Sequence, residues 1–544
     1  MSTLWDALHA VACSEPDLPC IIVPAQVSRH YHPDGLEWTY GQVAAMTQQL
    51  VDQYAARGWG RGHRVALLLE NRPELMLHFL ALNALGAWLI PINPDYRQDD
   101  LLNLFCHAEP DLVVSIQDRC SLLEQVGRAM GKTAPAVVPQ QEFSKTLPAP
   151  RRAAMTGTPT LESGAVLLYT SGTTGMPKGC LIGNDYLYFA GKRYTQAGGT
   201  MTLRPGAERL YNPLPLFYAN SLTIANPAMI LSRNAMIFPD RFHPELWWKE
   251  LVQTKATIMH YLGIIPPLLL AKPVCPEERM HNVRFGVGAG IEPERKGEFE
   301  TRFGIPLVEV WGMTEVGIAI ATQHQVPICA PRSIGRPLAG VEAKVIGDDG
   351  RNVAIGETGE LVLRREGPNP RSGFFAEYVK DADATEAAWL NGWFHTGDIV
   401  RSEADGSLSF VDRKKNMIRR SGQNIAAAEI EACLAAHPAI QQVVVLPVPD
   451  EMRQEEVLAC IIAREKPSNP EELARQIVTF ALQRLAYFKV PGWVTFVDSL
   501  PTTSTHKLQK AKIFQSSEDP RSRPDMIDLR EVKRMAAAKR LKLQ

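Results

Sequence analysis

LLYTSGTTGMPKGC, Leu167–Cys180, is the stretch from which the rest of the chain is read. An apolar run fit for a strand ends abruptly in hydroxyls and glycines, then a proline, a lysine and one more glycine. Gly172 and Gly175 let the backbone turn tightly and aim N–H groups inward, while Thr170, Ser171, Thr173 and Thr174 add hydroxyl donors. Lys178 adds a positive charge, and the combination suits a triphosphate. A P-loop would place four residues between two glycines and follow them with Gly-Lys-Ser/Thr; here Lys178 follows a proline and precedes a glycine. The segment predicts a polyphosphate loop that is not a Walker A motif.

Strand and helix patterns alternate around it. RVALLLE (Arg64–Glu70) suits a buried strand, Asn71 offers an N-cap, and Pro73 stands at a helix start. PELMLHFLALNALGA has helical apolar spacing, with Gly86 where a helix would stop. WLIPIN is the next strand, and the alternation recurs through DLVVS, AVLLYTS, NAMIFPD, ATIMHYL, VRFGVGAG and PLVEVWGM. This predicts an α/β fold of parallel βαβ sheets covered on both faces, with ligands at the carboxyl ends of the strands. After residue 335, VEAKVIGDDGRNVAIGETGELVLR has turn signals between short alternating runs, as in the antiparallel hairpins of a small β-barrel-like part. Beyond DRKKNMIRRSGQN the pattern is α+β. The expected organisation is an N-terminal domain over 1–411, a hinge at 412–415, and a smaller mobile C-terminal domain over 416–515. A linker and a solvated basic helix are expected over 516–544.

At 544 residues the chain is too long for one core. Apolar and charged fractions of 45% and 22% are those of a globular protein, and a net charge of −1 gives no reason to expect nucleic acid or an anionic membrane as partner. The N-terminus lacks a basic region before a long apolar core, and no apolar stretch approaches a membrane span. The nine cysteines are scattered without a CxxC. These features predict a cytoplasmic chain with reduced thiols and no transmembrane segment.

TSGTTGMPKG resembles the phosphate-binding signature of the AMP-forming acyl-CoA synthetases, within the adenylate-forming (ANL) superfamily. The resemblance covers nearly the whole chain in the expected order. FVDRKKNMIRRSGQN, AAHPAIQQVVVLPVPD and RLAYFKVP look most like its crotonobetaine/carnitine–CoA ligase branch. It implies that Thr170 to Gly175 and Lys178 cradle the phosphates of ATP. VWGMTEVG (Val310–Gly317) resembles a second signature, in which Glu315 carries Mg²⁺ between phosphate oxygens and Thr314 touches the α-phosphate. Trp311 occupies the adenine-stacking position, flanked at the nucleotide by Glu309, Val310, Gly312 and Met313. Gly288, Ala289 and Gly290 of VGAGIEPE would form the other adenine wall.

Asp398 of GWFHTGD and Arg413 would hold the ribose, with Lys415 at the pivot and Ser421 and Gly422 lining the thiol channel. Lys507 of PTTSTHKLQKAK would reach into the site during adenylation. Tyr218, Ala219 and Asn220 of LPLFYANS would line the acyl pocket. Four positions depart from the family's common pattern: Trp311 for tyrosine, Tyr218 for histidine, and Ser421 and His506 for glycine.

The implied activity is a two-step ligation in which a small carboxylic acid attacks MgATP to give acyl-AMP, and coenzyme A then takes the acyl group. Nucleic acid is not an expected partner, and no carrier domain follows residue 512. A betaine could meet Tyr218 through its ammonium. The alternatives are a medium- or long-chain fatty acid–CoA ligase and an enzyme that charges a carrier protein. Lys178, Glu315, Asp398, Arg413 and Lys507 are all present, which speaks against a nucleotide-binding protein that has lost catalysis.

Overall fold

The computed structural model describes residues 2–170, 178–322, 332–420, 423–450, 454–502, 508–514 and 519–541. Ser171, Gly172, Thr173, Thr174, Gly175, Ser421, Gly422 and Lys507 lie outside the described residues. The chain separates into two compact units. The larger comprises Met1–Lys344, Val362–His395 and Asp405–Ser409; the smaller comprises Val345–Leu361, Thr396–Ala404 and Phe410–Gln544.

In the larger unit, one sheet runs through the strands Glu377–Tyr378, Lys178–Gly183, Gly164–Thr170, Trp88–Pro91, Arg64–Leu68, Leu112–Ser115 and Ala136–Pro139. Its last five strands are parallel, as the alternating pattern predicts. Lys178–Gly183 runs antiparallel to both of its neighbours, so the sheet is mixed. The reason is chain length: seven residues join Gly164–Thr170 to Lys178–Gly183, too few for the crossover a parallel pair needs. In the second sheet, Leu307–Met313, Phe285–Ala289, Ile258–Leu262, Arg209–Tyr211, Ala235–Ile237 and Pro19–Val23 are parallel neighbours in that order. Gly317–Ala321 and Leu36–Thr39 add antiparallel strands.

The helix Glu74–Leu85 ends at Gly86 in the left-handed conformation (φ 70°), as its sequence predicts. It is buried nearly all round, consistent with its run of Leu, Met, Phe and Ala. Asn71 does not cap it. The Asn71 carboxamide instead accepts the Leu216 N–H (2.8 Å) and donates to the Pro239 carbonyl (3.2 Å), tying down a distant loop.

The smaller unit contains a sheet ordered Gln423–Ala426, Met417–Arg420, Gln454–Ala463, Trp493–Phe496 and Ile527–Asp528, with Ile440–Asp450 also paired to Gln454–Ala463. Ile418, Ile430, Leu434, Val457, Ile461, Ile477, Val494 and Leu529 form its core. Leu529 shows that the C-terminal segment is part of this core. The helix Arg530–Leu541 is therefore not simply the solvated element its charge suggests. Lys533 on it is only 2% exposed and donates to Glu456 (2.7 Å), which also accepts from Arg420 (2.9 Å). Glu456 and Arg420 are 0% and 2% exposed. Gly492 allows this approach, because a Cβ there would come within 2.7 Å of Glu456 and 2.9 Å of Arg530.

Removing one member of a buried ion cluster strands the others in a medium that cannot solvate them. Glu456→Ala is expected to lower the stability of the smaller unit by about 3–5 kcal/mol. Denaturant titration followed by its Trp493 environment would measure this, and a loss below about 1 kcal/mol, the level of an exposed pair, would contradict it.

Candidate nucleotide and acyl site

Thr170 and Lys178, the described ends of the sequence loop, face each other as paired residues of antiparallel strands. The Lys178 ammonium lies 4.8 Å from the Tyr378 ring centroid and 4.0 Å from an Asp381 carboxylate oxygen. Tyr378 sits on the short strand that pairs with Cys180, and its hydroxyl donates to the Glu315 carboxylate (2.7 Å). Glu315 is 6% exposed. The same segment binds the Glu315 backbone through the Phe375 N–H (2.8 Å). Burial and the neighbouring Glu315 hold the Tyr378 phenol far above its ordinary pKa, so it remains a donor.

Thr314, Glu315 and Val316 form the turn between Leu307–Met313 and Gly317–Ala321. Gly312 is required by close packing: a Cβ there would lie 2.3 Å from the Gly317 carbonyl oxygen. Beneath the turn, Arg193 donates to the Val316 carbonyl and lies 4.3 Å above the Phe189 ring. Arg193 is 1% exposed, and burial pulls its pKa down to about 10, which leaves it cationic at neutral pH.

Gly288, Ala289 and Gly290 close the strand Phe285–Ala289 beside Glu309 on the adjacent parallel strand. The Glu309 carboxylate accepts the Tyr261 hydroxyl (2.5 Å) and the Gly290 N–H (2.9 Å). Burial pushes the Glu309 pKa up. Its side chain thus braces the glycine turn from within. Val310 and Trp311 are buried, Gly312 is exposed, and Met313 is half-buried.

Tyr218, Ala219 and Asn220 are half-buried in a loop fixed at several points. Ser221 donates to the Leu214 carbonyl (2.6 Å), the Tyr218 ring packs on Phe217 at 4.7 Å, and a π-helical turn, Asn220–Ala225, follows. Such turns recur at functional sites.

In the smaller unit, Arg413 meets Asp398 at 2.6 Å, and Asp398 is almost wholly buried. Lys415 belongs to the tight turn Lys414–Asn416. Asp412 organises this turn by accepting from the Arg413 N–H (2.7 Å), Asn416 (3.0 Å) and the Ala428 N–H (2.9 Å). Lys414 pairs with Glu360 (2.8 Å), which also accepts the Gly397 N–H (3.2 Å).

Tyr378, Arg193, Glu360 and the bracing role of Asp412 were not anticipated from the sequence. Tyr378 is separated from Glu315 by 63 positions, and no local pattern joins them. Among the described residues, no group of three or more His, Cys, Asp or Glu side chains is arranged to hold a metal. A lone carboxylate at a polyphosphate site is nevertheless a donor set that Mg²⁺ accepts, with nucleotide oxygens and water as its other ligands.

Residues 10–374 match the AMP-binding enzyme family and residues 429–507 the AMP-binding enzyme C-terminal domain. A sulfoacetate–CoA ligase from Cupriavidus necator is 31% identical over 517 residues, covering 93% of this chain and 97% of that protein. A crotonobetaine/carnitine–CoA ligase from Citrobacter koseri is 28% identical, covering 88% of this chain and 93% of that protein. Among solved structures, ATP-bound MatB from Rhodopseudomonas palustris superposes with a TM-score of 0.79 at 23% identity, over 94% of this chain and 98% of that one. The o-succinylbenzoate–CoA synthetase of Bacillus subtilis, in complex with its acyl-adenylate, gives 0.78 at 23%, over 94% of this chain and 98% of that one. No helix among the described residues is long and apolar enough to cross a membrane. With both domain models matched and a relative above 30% identity along almost its full length, the chain belongs to the AMP-binding enzyme family.

Proposed function

We propose that the chain is an AMP-forming acid–CoA ligase, joining a small carboxylic acid to coenzyme A at the expense of ATP. The observation that carries this is the buried Glu315 carboxylate, fixed by Tyr378 beside the cation of Lys178. The full-length relatedness to two acid–CoA ligases supports it.

Thr170, the loop to Gly175 and Lys178 bind the phosphates, and Thr314 contacts the α-phosphate. Glu315 is the residue to hold Mg²⁺, which when bound neutralises charge on phosphate oxygens. The acid's carboxylate attacks the α-phosphorus, the bond to the β-phosphate oxygen breaks, and pyrophosphate leaves. Lys507 offsets negative charge in that transition state. Asp398 accepts the ribose hydroxyl hydrogens, with Arg413 beside it, and Gly288 to Gly290 with Trp311 flank the adenine. Movement about Lys415 then exchanges the Lys507 wall for the thiol channel of Ser421 and Gly422. The coenzyme A sulfur attacks the acyl carbon, AMP leaves, and the thiol proton is released. Tyr218, Ala219 and Asn220 line the acyl side. The rings of Tyr218 and Phe217 give faces for the ammonium of a crotonobetaine- or carnitine-like acid.

Pyrophosphate release across butyrate, octanoate, benzoate, malonate, sulfoacetate and crotonobetaine, with and without coenzyme A, tests the proposal. At least one acid should support release, with acyl-CoA formed when coenzyme A is present. Release with none removes the ligase assignment, and acyl-AMP that persists despite coenzyme A points to a carrier-protein acceptor. Preference for octanoate over crotonobetaine removes the betaine assignment.

Lys507→Ala is expected to slow adenylation by about a hundredfold or more while sparing thioester formation from supplied acyl-AMP. Equal losses in both half-reactions contradict the exchange of walls. Tyr378→Phe removes a hydrogen bond to a buried carboxylate, a contact worth about 1.5–3 kcal/mol, and should raise KM for MgATP about tenfold or more. A lowered melting temperature with KM for MgATP unchanged would assign Tyr378 to folding alone.

A further inference from the structure

Three polar side chains, Asn212, His260 and Tyr194, lead to Asn220, and their hydrogen bonds can be oriented from a fixed starting point. The Leu214 N–H can only donate, and it donates to Asn212 Oδ1 (3.0 Å). Asn212 therefore presents its Nδ2 hydrogens on the other side, where Asn220 Oδ1 accepts at 3.1 Å. The same oxygen lies 2.8 Å from His260 Nδ1, the closer of that nitrogen's two contacts, the other being Asn212 Nδ2 at 3.3 Å. An amide oxygen cannot donate, so Nδ1 carries the imidazole hydrogen. Nε2 then has only its lone pair to offer, and the Tyr194 hydroxyl stands 2.9 Å from it as donor.

Each partner thus fixes the next, from a backbone amide to a tyrosine. Asn212, His260 and Tyr194 are wholly buried, while Asn220 is half-buried. Burial pushes the His260 pKa down to about 3, so its single hydrogen is not exchanged for a charge at neutral pH. His260 also sits on a strand of the second sheet, level with Val287 on the strand that ends in Gly288 and Ala289. Both oxygen contacts of Asn220 are turned inward. Its Nδ2 has no hydrogen-bond partner among the described residues, although it has two hydrogens to give.

We propose that His260 is a positioning residue for the acid: with Asn212 and Tyr194 it holds Asn220 so that the Nδ2 hydrogens face the acyl group. The acid is then met by a neutral amide donor, and Asn220 becomes a specificity-determining residue. This rests on the acyl-pocket role of the Tyr218–Asn220 loop. Such a donor favours acids with an acceptor oxygen at that point and disfavours a group that must itself donate there.

Two measurements on the full chain test it. In ¹⁵N-histidine-labelled protein, the His260 signal, identified by its loss in His260→Gln, should show the Nδ1–H tautomer. The Nε2–H tautomer overturns the proposal, because the Asn220 amide would then be reversed. The second measurement takes the acid of the panel above that gives the fastest pyrophosphate release. Asn220→Asp should lower its kcat/KM by about ten- to hundredfold, with KM for MgATP within about twofold.

His260→Leu should lose about tenfold in the same parameter, while His260→Gln, which can still donate to Asn220, should stay within about threefold. In Asn220→Ala, adding His260→Leu should cost little more, since the two act through one contact. Independent, additive losses, or an equal rise in KM for MgATP, would assign His260 to folding. Wild-type protein inactive with every acid overturns the underlying ligase assignment, whereas an active wild type with unaffected Asn220 variants overturns this proposal alone.

Discussion

A carboxylate buried as deeply as that of Glu315 must be given donors, and most of the candidate site follows from how this is met. The Tyr378 hydroxyl that meets it belongs to a strand of the first sheet, while Glu315 stands in a turn of the second. One hydrogen bond therefore joins both sheets of the larger unit. The residues around Tyr378 reinforce it: the Ala376 and Val379 N–H groups donate to Leu181 and Gly179, on the strand that begins at Lys178. The position of the lysine cation and that of the carboxylate are thus set by the same short segment. Neither could shift far without breaking backbone pairing.

Close backbone approach is the second constraint. At Gly288 a Cβ would lie 2.4 Å from the Tyr261 carbonyl oxygen, and at Gly312 it would strike the Gly317 carbonyl. These glycines let neighbouring strands of the second sheet come into direct backbone contact. Glu309, one strand away, serves the same end by holding Gly290 through its N–H. Its carboxylate accepts from the Tyr261 hydroxyl and the Gly290 N–H, as that of Glu315 accepts from Tyr378.

What could be read from the residues alone was what is local or periodic. The alternation of apolar strands and helices gave the α/β class, and Gly86 marked a helix end by its conformational freedom. Loop length, by contrast, decides pairing direction, which is why the sheet expected to be parallel acquires an antiparallel strand at Lys178–Gly183. Asn71 shows the limit of a local rule: its side chain suits an N-cap, yet tertiary contacts with Leu216 and Pro239 take it. The basic C-terminal helix shows another. Lys533 looks like one more exposed charge until Glu456, on a distant strand, is brought beneath it. Tyr378 and His260 belong to the same class, since their partners are neighbours only in space.

Arg193 has no ion pair among the described residues, although it is enclosed below the Thr314–Val316 turn and keeps its charge. A second guanidinium, Arg365, lies on the same Phe189 ring at 4.5 Å. Mobile ions screen exposed charges over roughly 8–10 Å at physiological salt, but they cannot enter the space around a buried one. The potential that Arg193 imposes on the turn therefore persists at salt concentrations that would silence a surface lysine. The positive charge beneath this turn is built into the interior of the protein and is largely independent of the medium outside.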